Sequence, residues 1–173
     1  MNRRNILSMY AIAALGLTFL SGNALAQQKA LKEQLVGIWT LTSWEQTNKD
    51  GSKLQRYGSN PKGYNIFDAS GRFFMMFANL DVPKIASGNP ATATPEEAKA
   101  IVAGVVSYYG TYTVDEASKG ITLRVEASSL PKQLGVDQKR TITSLTANEL
   151  HISNPAAVAG GQINYALKPG FPG

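Results

Sequence analysis

The stretch Val36-Gly37-Ile38-Trp39-Thr40-Leu41 decides how the rest of this sequence is interpreted. A Gly-x-Trp opens a run in which apolar and polar residues alternate, as they do in a half-buried β-strand. Trp39 and Leu41 fall on one face, and the threonines between and after them fall on the other. Trp44 breaks this alternation further along, which predicts either a β-bulge or a partly covered outer face.

The N-terminal segment has the composition of an export signal. A pair of arginines near the start precedes an apolar run over 6–20, and Ala24-Leu25-Ala26 supplies the small residues that a signal peptidase requires. We therefore expect 1–26 to be cleaved, 27–173 to form one domain, and the protein to be periplasmic or secreted. The apolar run is shorter than the roughly 20 residues of a transmembrane helix, so we expect no stable membrane anchor after cleavage. An uncleaved anchor is the alternative.

The composition narrows the possible chemistry. The 173 residues include no cysteine and one histidine and carry a formal charge of +5. Without cysteine there is no disulfide, thiolate metal site or cysteine nucleophile. Basic residues are scattered, with no run beyond Lys139-Arg140, so we expect no nucleic-acid partner, which would require a clustered basic stripe. His151 alternates with apolar neighbours and should face outward, and without a second histidine or a cysteine no metal site is expected. No Gly-rich phosphate loop of the Walker or dinucleotide type is present, and no cofactor is expected.

Strand patterns dominate the chain after residue 36. Alternation and turn residues predict eight strands, which cover 37–47, 64–67, 72–78, 107–114, 121–127, 137–145, 149–153 and 162–168. Between the third and fourth strands, Thr94-Pro95-Glu96-Glu97 combines an N-cap, a first-turn proline and a capping-box glutamate, which predicts a helix to about Val106. We expect its apolar stripe to pack on the outer face of the third strand or near a barrel mouth.

Eight antiparallel strands can close into a barrel just wide enough for side chains or for one small ligand. The predicted fold class is therefore all-β: an eight-stranded antiparallel barrel with one α-helix inserted between the third and fourth strands. Closure of the ring also removes the unpaired edges that an open sheet would have to protect.

Three groups of residues carry a family resemblance. They are the opening stretch 35–41, the segment 58–72 with its Gly-Ser-Asn-Pro-Lys-Gly and Asp-Ala-Ser-Gly-Arg, and the helix start 94–97 followed by Tyr-Gly-Thr-Tyr-Thr-Val-Asp at 109–115. In this order and spacing they resemble the lipocalin-like domain family of bacteria and fungi, within the wider calycin group. The resemblance implies an eight-stranded barrel. It implies less about function, because the wider group contains ligand carriers and a few enzymes.

The predicted barrel interior supplies the candidate ligand-binding residues, which are Tyr64, Ile66, Phe73, Met75, Phe77, Tyr108, Tyr112, Leu123, Val125 and Tyr165. Buried phenols need hydrogen-bond partners, so these tyrosines could orient a mostly apolar ligand that has one polar end. The alternative is that the side chains simply fill the barrel. By resemblance to lipocalins, Gly37, Trp39 and Arg140 would form the structural base of the barrel, with Arg140 stacked on Trp39.

The expected function is binding of a small hydrophobic or amphipathic molecule inside a barrel in the cell envelope. No catalytic residue is assigned, and the sequence favours a binding protein over an enzyme. One alternative is a mild isomerase or cyclase that uses tyrosine or arginine donors, which a charged residue within reach of Tyr108 or Tyr112 would favour. The other is an envelope protein-interaction module, which would expose an apolar patch near Phe74 or Trp44.

Overall fold

The strands in the described part of the chain, residues 30–155 and 160–170 of a computed structural model, run antiparallel to their neighbours. Both the segment expected to be cleaved, 1–26, and the residues up to 29 lie outside the described residues. The strands are β1 (Gly37–Thr47), β2 (Lys53–Leu54), β3 (Lys62–Phe67), β4 (Arg72–Ala78), β5 (Val105–Asp115), β6 (Gly120–Ser128), β7 (Asp137–Leu145), β8 (Leu150–Asn154) and β9 (Gln162–Pro169). Their bounds follow the predicted strands closely.

The sheet closes on itself. Each strand from β3 to β9 pairs with the next, and β9 then pairs with β1, from Trp39 opposite Pro169 to Thr47 opposite Gln162. The two-residue β2 pairs only with the end of β1 and adds nothing to the ring. The barrel therefore has eight strands, as predicted, and β1 and β9 satisfy each other's backbone groups across the closure.

A bulge turns the second half of β1. The pairing of β1 with β9 shifts register between Leu41 and Ser43. Before the shift, Trp39 and Leu41 are buried; after it, Trp44 and Gln46 are buried instead. A bulge adds one residue to one strand and so changes which side chains face inward. The bulge predicted at Trp44 is confirmed.

In the part of the chain that the structure describes, two α-helices accompany the strands: α1 (Leu31–Leu35) and α2 (Pro95–Gly104). The predicted capping box of α2 is present: Glu97 N donates to Thr94 Oγ1 at 3.2 Å, and Thr94 N donates to Glu97 Oε2 at 2.8 Å. The helix ends before the predicted Val106 because β5 begins directly after Gly104. Within the described residues, no helix combines the length and apolarity needed to cross a membrane.

The apolar stripe of α2 does not cover β4. Ala98 and Val102 on the stripe are exposed, and so are Phe74 and Met76 on the outer face of β4, at 36% and 40%. Of the two positions predicted for the stripe, packing on the outer face of β4 is therefore wrong, and the position near a barrel mouth is correct. Because α2 runs straight into β5, it is held at the end of the barrel, where Ala103 borders the interior.

The opposite end of the barrel is covered by α1. The Trp39 indole N–H donates to the backbone oxygen of Leu35 at 2.8 Å, and Leu35 is fully buried. The backbone N–H groups of Leu31 and Lys32 both donate to the Glu116 carboxylate, at 2.8 and 3.1 Å. These contacts fix α1 across the end of the barrel where β1 begins.

Candidate functional site

A cavity of about 440 Å³ occupies the α2 half of the barrel. This volume falls within the range of about 300–1,000 Å³ that is usual for small-molecule sites. Its lining consists of Trp44, Gln46, Leu54, Arg56, Tyr57, Met75, Phe77, Ala103, Val106, Tyr108, Leu130, Gln133, Gln138, Arg140, Asn154, Ile163 and Tyr165. The lining is mostly apolar, with a few polar groups that could orient a bound molecule.

Aromatic rings form one continuous wall of this cavity. Trp44 meets Tyr57 edge to face with ring centroids 5.1 Å apart, Tyr57 meets Phe77 at 5.9 Å, and Phe77 meets Tyr165 at 5.4 Å. Edge-to-face contacts of this kind restrain the rings relative to one another. We call these four residues the aromatic wall. It offers a preformed apolar surface to a ligand.

The polar groups at the inner end of the cavity centre on Arg140. Its side chain lies inside the barrel and is 7% exposed. Nη2 donates to the Tyr108 hydroxyl at 3.3 Å, and Nη1 donates to the backbone oxygen of Lys139 at 2.9 Å. The Tyr165 hydroxyl lies against both Arg140 and Asn65, whose Oδ1 has no hydrogen-bond partner among the described residues. We call Tyr108, Arg140 and Tyr165 the polar floor.

Burial and mutual contact set the charge states of Arg140 and Tyr165. Burial raises the pKa of Tyr165 to about 12, although the neighbouring Arg140 opposes the shift. Burial acts to lower the pKa of Arg140, but the oxygens of Tyr108 and Tyr165 outweigh it and leave this pKa above its usual value. Burial also raises the pKa of Tyr57 in the aromatic wall. At neutral pH the cavity therefore presents a charged guanidinium beside the neutral phenol of Tyr165.

The cavity lining includes two arginines and no acidic side chain. The second arginine, Arg56, lies at the mouth, where its Nε donates to the backbone oxygen of Ala103 at 2.6 Å. Contacts between basic and acidic side chains among residues 30–155 and 160–170 are Lys53–Glu45, Arg72–Glu126, Arg124–Asp137 and His151–Glu149. None of them neutralises Arg140, so the buried guanidinium has no carboxylate partner within the described structure.

The predicted ligand-binding residues separate into three groups. Met75, Phe77, Tyr108 and Tyr165 line the cavity. Another group is buried in the barrel core outside the cavity lining, and it comprises Phe73, Tyr112, Leu123 and Val125. Tyr112 belongs to the α1 end, where its hydroxyl donates to the backbone oxygen of Asp68 at 2.8 Å. The third group consists of Tyr64 and Ile66, which lie on the outer face of β3.

The inward face of β3 is the opposite of the predicted one. Asn65 pairs with Met75, whose side chain is inside the barrel, whereas Ile66 pairs with Phe74 and Tyr64 with Met76. Because directly opposed residues share a face of the sheet, Asn65 faces inward while Tyr64 and Ile66 face outward. The prediction placed Tyr64 and Ile66 inside the barrel. Pairing with β4, which only the tertiary structure reveals, reverses that placement.

The predicted base of the barrel is also arranged differently. Gly37 begins β1 and Trp39 is buried under α1, but Arg140 lies in the cavity against Tyr108. The cation–π contacts within the described ranges are Lys32 over Tyr112 and Arg56 over Tyr57, so the expected stacking of Arg140 on Trp39 is not found. Arg140 pairs with Ile121 on β6, which sets its depth in the barrel.

Several lining residues were missed by the sequence analysis. Three of them are polar side chains, which the sequence analysis either placed on the outer face or did not place at all. They border the cavity: Gln46, Gln138 and Asn154. Tyr57 was missed because it belongs to the loop between β2 and β3, although it is only 3% exposed. The available signal was an aromatic residue in an otherwise polar loop, directly before Gly58, whose positive φ of 73° lets the chain turn.

The outer surface shows two further features. Phe74, Met76 and Tyr109 form an exposed apolar patch on β4 and β5, whereas Trp44 is buried. The protein-interaction alternative predicted such a patch near Phe74 or Trp44.

His151 is half-exposed and its Nε2 lies 2.9 Å from the Glu149 carboxylate. No group of three potential metal ligands of the histidine, cysteine or acidic type is found in the described part of the chain.

The geometry defines an eight-stranded antiparallel β-barrel that is closed at one end and holds a cavity at the other. The sequence profile of the lipocalin-like domain matches residues 36–165, which includes most of the barrel, and the chain belongs to this family. The family resemblance predicted from the sequence is therefore confirmed. A lipocalin-like barrel suggests small-molecule binding in general.

Comparison with solved structures finds a redesigned β-barrel that is 12% identical to this chain. The alignment covers 83% of this chain and 98% of that one, with a TM-score of 0.42. Among curated proteins, none matches this sequence.

Proposed function

We propose that this protein binds a small hydrophobic or amphipathic molecule in the barrel cavity. The observation that carries the proposal is the pairing of the aromatic wall with the polar floor in one cavity of about 440 Å³. An apolar pocket with a few convergent polar groups is the usual arrangement of a small-molecule site. The alternative, in which the interior is simply filled by side chains, leaves this space unexplained.

Titration with a polarity-sensitive hydrophobic dye tests the proposal. The delipidated protein should enhance dye fluorescence saturably, and Ala103→Trp at the cavity mouth should weaken binding about tenfold or more. Ala98→Trp is the matched control, because Ala98 lies on the same helix, is exposed and does not border the cavity. Absence of saturable binding to the unmodified protein, or equal weakening by both variants, would contradict the proposal.

We further infer that the protein acts in the periplasm or outside the cell. This location is supported by the N-terminal segment, whose positive start, apolar run and Ala24-Leu25-Ala26 match a cleavable export signal. Cell fractionation and N-terminal sequencing test it: the exported protein should begin at Gln27. A cytoplasmic protein that keeps its first 26 residues would overturn this inference.

A second candidate function is a mild isomerase or cyclase. It is favoured by the contact of Arg140 with Tyr108, since these groups could together stabilise negative charge on a substrate. However, the cavity lining includes no aspartate, glutamate, histidine, lysine or cysteine that could take up a proton from a substrate. Ligand binding is therefore the better-supported function. Mass spectrometry of a ligand recovered after incubation distinguishes the two, because a carrier returns it unchanged.

A further inference from the structure

We propose that the bound molecule is an organic carboxylate, held by Arg140 and Tyr108 at the polar floor with its apolar part along the aromatic wall. This inference rests on the proposed binding function and adds the chemical class and orientation of the ligand. Its support comes from the charge, the hydrogen-bond donors and the position of Arg140.

The buried positive charge of Arg140 would be stabilised by a negatively charged partner. Its guanidinium is almost completely removed from solvent, and within the described structure no carboxylate pairs with it. A buried charge is costly unless it is paired and hydrogen-bonded. Because arginine stays protonated in proteins, the site cannot avoid this cost by losing the proton. A ligand carboxylate would supply the missing negative charge.

Hydrogen-bond donors exceed acceptors at the polar floor. Arg140 has five N–H groups. Within the described residues their acceptors are the Lys139 backbone oxygen and the hydroxyls of the floor. The Tyr108 hydroxyl accepts from Arg140 and so keeps its own proton available for donation. A carboxylate only accepts hydrogen bonds, and its two oxygens match the planar fork of a guanidinium. A neutral alcohol would satisfy fewer of these donors.

The layout of the cavity sets the orientation of the ligand. Arg140 lies opposite Ile121 inside the barrel, whereas Arg56 lies at the mouth beside the end of α2. Tyr165 belongs to both the floor and the wall, so an apolar chain that leaves the floor meets Phe77 next. The mouth arginine and the absence of acidic groups from the lining give the entrance a positive potential, which attracts an anion.

The decisive experiment compares decanoate with decanol, which share a chain but differ in charge. In displacement of the hydrophobic dye at neutral pH, decanoate should bind the full exported chain roughly 10- to 100-fold more tightly than decanol, the range expected for charge-assisted hydrogen bonds. Arg140→Gln should abolish this preference, because loss of the guanidinium weakens decanoate binding far more than decanol binding. The control Arg124→Gln, on the outer surface, should preserve it, because Arg124 is 68% exposed and pairs with Asp137.

Each outcome decides the inference. If decanoate and decanol bind equally well, the binding function stands and the carboxylate assignment fails. If neither ligand binds and no dye binds, the binding function itself fails, and this inference falls with it. A decanoate preference that survives in a folded Arg140→Gln protein would also overturn it. Should that variant not fold, Tyr108→Phe provides the second test, and it should reduce the preference by weakening decanoate binding more than decanol binding.

Discussion

The single residue that gives the interior its chemical character is Arg140. The position is an inward one on β7, and an apolar residue there would have left the inner end of the cavity without a charged group. A guanidinium at this depth instead orders the hydroxyls of Tyr108 and Tyr165 around itself. Stability alone does not account for such an arrangement, because a buried charge is usually neutral or unfavourable for folding relative to an apolar residue.

Tyr165 should make the stability of the protein sensitive to high pH. Its pKa is raised by burial from 10.0 to about 12 in the folded protein, whereas an unfolded phenol ionises near pH 10. The unfolded state therefore loses its proton first, so the contribution of Tyr165 is intact below pH 10 and is lost between pH 10 and 12. The free energy of unfolding should fall over this window by on the order of 2–3 kcal/mol more than in Tyr165→Phe. Parallel pH profiles in urea unfolding would contradict this.

At the scale of the elements, alternation along β4 separates core from surface. Phe73 is 5% exposed and packs edge to face on Tyr108, with ring centroids 5.8 Å apart. Its neighbour Phe74 is 36% exposed on the outer face. The same residue type at adjacent positions thus occupies two different environments, which makes these phenylalanines a matched pair for mutation.

Truncation of the two phenylalanines should have very different costs. Phe73→Ala removes a buried ring and should lower the free energy of unfolding by about 3–5 kcal/mol. Phe74→Ala removes a ring that is already partly in water, and should cost less than about 1 kcal/mol. Urea unfolding of both variants measures the difference. Equal losses would mean that another part of the protein covers Phe74, as the sequence analysis expected of α2.

The sequence predicted the elements well and their faces less well. Strand bounds, the capping box at Thr94 and the bulge before Trp44 follow from local rules, since alternation, caps and turns depend on residues close in the chain. The inward face of β3 was mistaken because it depends on pairing with β4. Two positions were predicted for α2, and the one near a barrel mouth is correct, because the direct junction with β5 holds the helix there.

At the scale of the whole molecule, the barrel divides into a packed half and an open half. Trp39 and Leu35 under α1 complete the packed half, and the cavity occupies the other. A ligand that fills the open half binds the folded state alone, and should therefore stabilise the entire barrel through mass action.

Ligand binding should raise the thermal midpoint of unfolding. Decanoate at about 100 times its Kd should add about 2.7 kcal/mol, which corresponds to a rise of roughly 5–10 °C for a chain of this size. Arg140→Gln should show a clearly smaller rise at the same concentration, because its affinity for decanoate is reduced. Differential scanning calorimetry provides the measurement. An unchanged midpoint at a concentration that displaces the dye would show that the dye site is not in the folded interior.

The amino-acid sequence by itself determined where the β-strands, the turns and the start of α2 lie along the chain, and it indicated the barrel family. Each of these depends on patterns of residues close together in the chain. The tertiary structure alone decided which side chains share the cavity. Arg140 comes against Tyr108, 32 positions away, only when the strands close around a common interior. Local alternation indicates that a side chain lies on one of the two faces of a strand. Strand pairing and closure of the barrel determine which face is inside and which groups meet there.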